Sequence, residues 1–192
     1  MYDACRIAGI NFFDTAHVYT GGTSETFLGN FAQTERDDLI IATKAGYEGG
    51  ASRKNILTTF DESRARLGMD SIDLLYMHRF DDNIPLHETF ETLAPLQPEN
   101  NIRYIGISNY AAWQVMKAVK VASEFGLKPD ILQPMYNLVK RQAEVEILPA
   151  CVDQAIGVCP YSPLGGGLLT GKYAGTSDGR LTQDHRYQAR YN

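Results

Sequence analysis

Ile72-Asp73-Leu74-Leu75-Tyr76-Met77-His78 is an apolar run that ends on a titratable residue. Two other runs behave in the same way. Leu39-Ile40-Ile41-Ala42-Thr43-Lys44 closes on Lys44, and Phe12-Phe13-Asp14-Thr15-Ala16-His17-Val18-Tyr19 delivers Asp14 and then Tyr19 just beyond it. A barrel of parallel strands presents its chemistry like this, from the C-terminal ends of several different strands.

Further apolar runs centre near Ile105, Leu132 and Val158, so six recur at intervals of about 30 residues. Amphipathic stretches lie between most of them. Ser52 is a fitting N-cap for a helix whose Ile56, Phe60 and Leu67 share a face, with Gly68 as its stop. A second helix is expected from Ala111 to Phe125, with Ala112, Val115, Met116, Val119 and Ala122 on its buried stripe and Gly126 ending it. Between His87 and Gln97 the pattern is less regular, because Pro95 and Pro98 end or kink a helix.

Strands alternating with helices imply parallel pairing, since each crossover needs a dozen or more residues. The pattern fits an open doubly wound sheet or a closed (β/α)8 barrel. The open sheet calls for a Gly-rich turn directly after its first strand. Here Gly21-Gly22 falls several residues late and lacks the required spacing. The even period and the polar residues after several strands select the barrel.

A full barrel needs about 250 residues, and this chain of 192 supplies six units of eight. Met1–Ala8 reads as a helix already under way, and no further strand follows the sixth run. The expectation is a single partial barrel domain over residues 1–192, part of a longer protein or only the ordered portion of one, because an open barrel exposes strand edges.

The net charge of −5 argues against a basic nucleic-acid footprint or a polybasic membrane patch. There is no apolar stretch long enough to span a bilayer and no signal-peptide pattern. Cys5, Cys151 and Cys159 form no metal-like spacing with the four histidines, so no metal site is expected and a reduced, cytoplasmic setting is the simplest reading.

These motifs, taken in order, resemble the aldo-keto reductases. The resemblance is carried by Gly9 to Tyr19, Ser24-Glu25-Thr26-Phe27-Leu28-Gly29, Ile41-Ala42-Thr43-Lys44 and Ile72 to His78. It continues through Ile102-Arg103-Tyr104-Ile105-Gly106-Ile107-Ser108-Asn109, Gln133-Pro134-Met135-Tyr136-Asn137 and Tyr161-Ser162-Pro163-Leu164-Gly165-Gly166-Gly167. It implies strands two to seven of that family's barrel, with the first and eighth missing. It also implies reduction of a small-molecule aldehyde or ketone by NADPH, with Asp14, Tyr19, Lys44 and His78 as the catalytic set.

The residue types suit that chemistry. Hydride addition leaves charge on the carbonyl oxygen, so an acid must supply a proton. An unperturbed tyrosine has a pKa of about 10, too high to cycle readily near neutrality. A unit charge 4 Å away is worth roughly 4 kcal/mol at an effective dielectric of 20, so Lys44 beside Tyr19 favours the phenolate. Asp14 orients the ammonium, and His78 aligns the carbonyl. Taken singly, Asp14 fits a helix cap, Tyr19 a loop aromatic, Lys44 a solvated strand end and His78 a buried imidazole. His17 shares the loop and is expected to be structural or merely exposed rather than to line the substrate mouth.

The resemblance also implies a cofactor set. Ser108, Asn109 and Gln133 match the residues that hold the nicotinamide carboxamide, and Tyr161 the aromatic that stacks on its ring. Ser162, Pro163, Leu164 and Gly166 belong to a turn whose backbone approaches the pyrophosphate, where glycine allows close contact. The segment that grips the 2′-phosphate in that family lies outside the chain, so NADH stays open beside NADPH.

Two alternatives accompany this reading. One is a non-catalytic nucleotide-binding relative, similar to potassium-channel regulatory subunits, in which the resemblance places an asparagine at the position of His78. The other is a truncated, inactive reductase.

Overall fold

The computed structural model describes residues 1–174, 179–183, 189 and 191. Six strands form one parallel sheet in the order of the chain: β1 (Phe12–Asp14), β2 (Ile40–Ala45), β3 (Ile72–Met77), β4 (Ile102–Ser108), β5 (Ile131–Gln133) and β6 (Gly157–Val158). Helices alternate with them: α1 (Tyr2–Ile7), α2 (Thr23–Ala32), α3 (Arg53–Leu67), α4 (Leu86–Leu93), α5 (Ala112–Ser123), α6 (Ile147–Asp153) and a short α7 (Arg180–Gln183). Every strand neighbours its predecessor and successor, with no reversal of direction in the sheet order. A doubly wound sheet requires such a reversal. The architecture is therefore six consecutive units of a β/α barrel.

Register decides which residues meet. Asp14 pairs with Ala42, Lys44 with Tyr76, Tyr76 with Gly106, Gly106 with Ile131 and Ser108 with Gln133. Paired residues in a sheet point to the same face, so these line the inner wall, where Ala42, Leu74 and Tyr76 pack with Phe12 and Ile131. The alternate residues, among them Ile41, Leu75, Met77, Ile105, Ile107 and Leu132, pack outward against the helices in the main core.

The helices follow local rules. The Asn55 N–H donates to Ser52 Oγ at 3.4 Å at the start of α3. Its end is set by Gly68 at φ 64°, while Met69 N–H returns to the Arg64 carbonyl. Ile56, Thr59, Phe60, Ser63 and Leu67 are its buried face. α4 stops at Leu93 and tightens into a 3₁₀ turn over Ala94–Leu96, as Pro95 demands.

α5 differs from the expected stripe. It runs Ala112–Ser123 rather than to Phe125, and it buries Val115, Ala118 and Ala122, while Met116 is 40% exposed. Two small alanines let the helix sit close to the sheet. The turn of about 100° per residue then carries Met116 off that face.

Two glycines mark close approaches. A Cβ at Gly29 would lie 2.3 Å from the Leu67 carbonyl oxygen, so α2 meets the end of α3 at backbone distance. A Cβ at Gly106 would lie 2.2 Å from Cδ1 of Tyr76, so the fully buried Tyr76 ring occupies the space that Gly106 leaves.

Candidate active site

The four sequence-selected residues come together at the C-terminal rim. Asp14 ends β1, Lys44 lies near the end of β2 and His78 follows β3 directly. Lys44 Nζ donates to Asp14 Oδ1, and it donates to the Thr15 carbonyl at 2.7 Å. The same nitrogen lies 4.7 Å from the centroid of the Tyr19 ring and 5.6 Å from that of Tyr76. Tyr19 meets His78 edge to face, with ring centroids 5.8 Å apart, and Tyr47 covers His78 at 4.7 Å.

The Lys44 side chain is completely buried. Burial lowers its pKa below the ordinary lysine value, and Asp14 opposes that shift without outweighing it. Two aromatic faces partly replace the lost hydration of the ammonium. Tyr19 itself is 39% exposed, so it faces the open side of the rim.

A second group adjoins the first. Ser108 Oγ donates to the Gln133 carbonyl at 3.0 Å, and Asn109 Nδ2 donates to the His78 carbonyl at 3.0 Å. Tyr161 Oη donates to Asn109 Oδ1 at 2.7 Å. Gln133 Nε2 donates to Asp14 Oδ2 at 2.9 Å across the barrel interior. Asn109 can serve here because it takes φ 59°, a left-handed conformation that asparagine tolerates.

The turn after Tyr161 is partly committed elsewhere. Ser162 adopts φ 60° and its carbonyl accepts from Asn137 Nδ2 at 2.9 Å. Pro163 lines a cleft of about 320 Å³ with Tyr136, Asn137 and Arg141, whereas Leu164 is exposed. Gly166 takes φ 65°. The N–H groups of Gly165 and Gly167 close turns onto Ser162 and Leu164, so the glycine run is not a row of free backbone donors.

His17 turns away from the rim, with its Nε2 2.6 Å from Glu62 Oε2. Three side chains that adjoin the site are not singled out by the sequence. The Tyr76 hydroxyl is buried beside Gln133 and Cys159 without a well-aligned hydrogen bond, and burial raises its pKa. Burial and Asp14 raise the Cys159 thiol, while Lys44 lowers it. Arg66 reaches the Tyr19 loop from α3. The positions of Tyr76 and Cys159 relative to the strand ends are the only sequence signal for them.

The sequence profile of the aldo/keto reductase family matches residues 1–191. The chain belongs to the aldo/keto reductase family. It is 36% identical over 198 residues to a probable voltage-gated potassium channel subunit beta of rice, covering 97% of this chain and 60% of that protein. It is 36% identical over 179 residues to L-glyceraldehyde 3-phosphate reductase of Escherichia coli strain K12, covering 86% of this chain and 52% of that one. Norsolorinic acid reductase B of Aspergillus parasiticus is 37% identical over 175 residues, covering 83% and 46%. The chain thus spans about half to three-fifths of these relatives' length. The family fold is a (β/α)8 barrel, of which the six units described above form the greater part. Among the described residues no group of His, Cys, Asp and Glu could hold a metal ion, and no helix is long and apolar enough to cross a membrane.

Proposed function

We propose that this chain carries the active site of an NADPH-dependent reductase that converts an aldehyde or ketone into an alcohol. The observation that carries this reading is the buried Lys44–Asp14 pair beneath the Tyr19 ring, with His78 against the same ring. A buried lysine whose pKa is lowered is costly to the fold, and such costs gather at reactive centres.

The donor set beside the tetrad fits a nicotinamide. Ser108, Asn109 and Gln133 offer hydroxyl and amide groups suited to a carboxamide, and Tyr161, anchored through Asn109, offers an aromatic face. When bound, the nucleotide supplies the hydride. Tyr19 gives its phenolic proton to the carbonyl oxygen, and the Lys44 ammonium compensates the negative charge left on the phenolate. Asp14 holds that ammonium in place. His78 donates to the same carbonyl oxygen and fixes its direction. Ser162, Pro163, Leu164 and Gly166 are assigned to the pyrophosphate side of the cofactor.

A second reading, a nucleotide-binding channel subunit, draws support from the name of the rice relative. The resemblance places an asparagine in such subunits where this chain has His78, and the retained histidine favours the enzyme. Fluorescence titration of the full-length protein with NADPH, followed by a panel of aldehydes, separates the two. Saturable binding with turnover is expected. Binding without turnover would favour the module, and no binding would overturn both.

A further inference from the structure

The loop that carries Tyr19 rests on a side chain with no role in the chemistry above. Arg66, on the last turn of α3, sends Nη1 to the His17 carbonyl at 2.9 Å and to Glu25 Oε2 at 3.2 Å. Its Nη2 lies 3.4 Å from Glu62 Oε2, which also meets His17 Nε2 at 2.6 Å. Glu25 is fully buried on α2, and its other oxygen accepts from Thr43 Oγ1 at 2.6 Å. Thr43 immediately precedes Lys44, so one guanidinium joins the Tyr19 loop to the strand that holds the lysine.

The loop needs such a support. Thr20, Gly21 and Gly22 take φ of 48°, 64° and 90°, three left-handed residues in succession directly after Tyr19. Regular structure does not hold a backbone of that kind in place. At Gly22 a Cβ would sit 2.6 Å from Cζ and Nη1 of Arg66, so the loop backbone lies directly on the guanidinium. A planar fork of five donors can serve a carbonyl and two carboxylates together; a lysine ammonium cannot match that geometry.

We propose that Arg66 is a positioning residue for Tyr19: by fixing loop 17–22 against Glu25 and Thr43 it sets where the phenol meets Lys44 and His78. This rests on the assignment of Tyr19 as the proton donor. The test uses the full-length protein with Arg66→Ala, Gly22→Ala and the double variant, and Tyr19→Phe as reference. Uniform 3-fluorotyrosine labelling gives a readout independent of turnover, because the resonance missing in Tyr19→Phe identifies Tyr19.

Arg66→Ala is expected to lower kcat about 10- to 100-fold while the NADPH Kd changes less than about threefold. The Tyr19 resonance should shift or broaden. Millimolar methylguanidinium should restore at least about fivefold of the lost kcat, and methylamine should not. Gly22→Ala should lower kcat more in the wild-type background than in the Arg66→Ala background, since the guanidinium it strikes is then gone. Should Arg66→Ala fail to fold, Arg66→Lys, which keeps the charge but loses the planar fork, decides through kcat and the Tyr19 resonance. An unmoved resonance, or an unchanged kcat in a folded variant, overturns the proposal. If Tyr19→Phe turns over normally, the underlying assignment has failed instead; if Tyr19→Phe is inactive and the Arg66 and Gly22 variants are normal, only the Arg66 proposal has failed.

Discussion

Gln133 on β5 donates from Nε2 to Asp14 Oδ2 on β1 at 2.9 Å, joining two residues 119 apart across the barrel interior. The same carboxylate holds Lys44 through Oδ1. The group assigned to the cofactor and the group assigned to proton transfer thus share one acid. Gln133→Leu removes a hydrogen bond to a charged group, worth about 1.5–3 kcal/mol. It should weaken NADPH binding and lower turnover together, each by roughly tenfold or more. A loss of binding with kcat intact would show the two groups to be independent.

Lys44→Met should abolish most turnover, by about 100-fold or more, yet barely disturb the fold. Burial already disfavours the ammonium. Asp14, 24% exposed at its side chain, keeps Gln133 as a donor, so the substitution leaves no orphaned buried charge. The melting temperature should stay within about 3 °C of wild type or rise. A fall much larger than that, measured by calorimetry, would mean that the pair is a net stabiliser.

Gly106→Ala drives a methyl into the Tyr76 ring at 2.2 Å. Overpacking of this kind costs about 1–3 kcal/mol. Chemical denaturation should show that loss, and Tyr76→Leu in the same chain should recover part of it, because the clash is pairwise. Additive losses would place the strain elsewhere.

Asp81 clasps two rim loops: Oδ2 accepts from Ala51 N–H and Oδ1 from Asn83 N–H. Burial alone would raise its pKa, but these backbone donors outweigh it and the carboxyl is held below the usual range. A depressed folded pKa means stability present above the unfolded carboxylate value, about 3.9, and lost as pH falls through the folded one. Asp81→Asn should therefore be less stable than wild type by a constant margin at pH 6–7. That margin should shrink below about pH 4, as followed by urea titration. A margin that widens in acid would contradict the sign.

The six strands were legible because each is a short apolar run bounded by turn residues, and the period between them left one architecture. Lys44 and His78 were legible because a titratable residue ends an apolar strand, a pattern the barrel rim explains. The α5 face was misread at Met116, where a wide apolar stripe offered several faces and the small Ala118 decided among them. Arg66 was not legible at all. Its partners His17 and Glu25 lie 49 and 41 residues away, and only the packing of α3 against α2 brings them within reach. The turn at Gly165–Gly167 could not be judged from composition, because which amides are spent on internal turns depends on the backbone path.

The most direct test of the account is hydride transfer by Tyr19→Phe in single turnover, with NADPH affinity measured on the same sample. Loss of the proton donor should slow the chemical step by about 10²- to 10⁴-fold while the Kd for NADPH stays within about twofold. Turnover at the wild-type rate would contradict the assignment of Tyr19 as the acid, and with it the reading of Lys44, Asp14 and His78 as its supports.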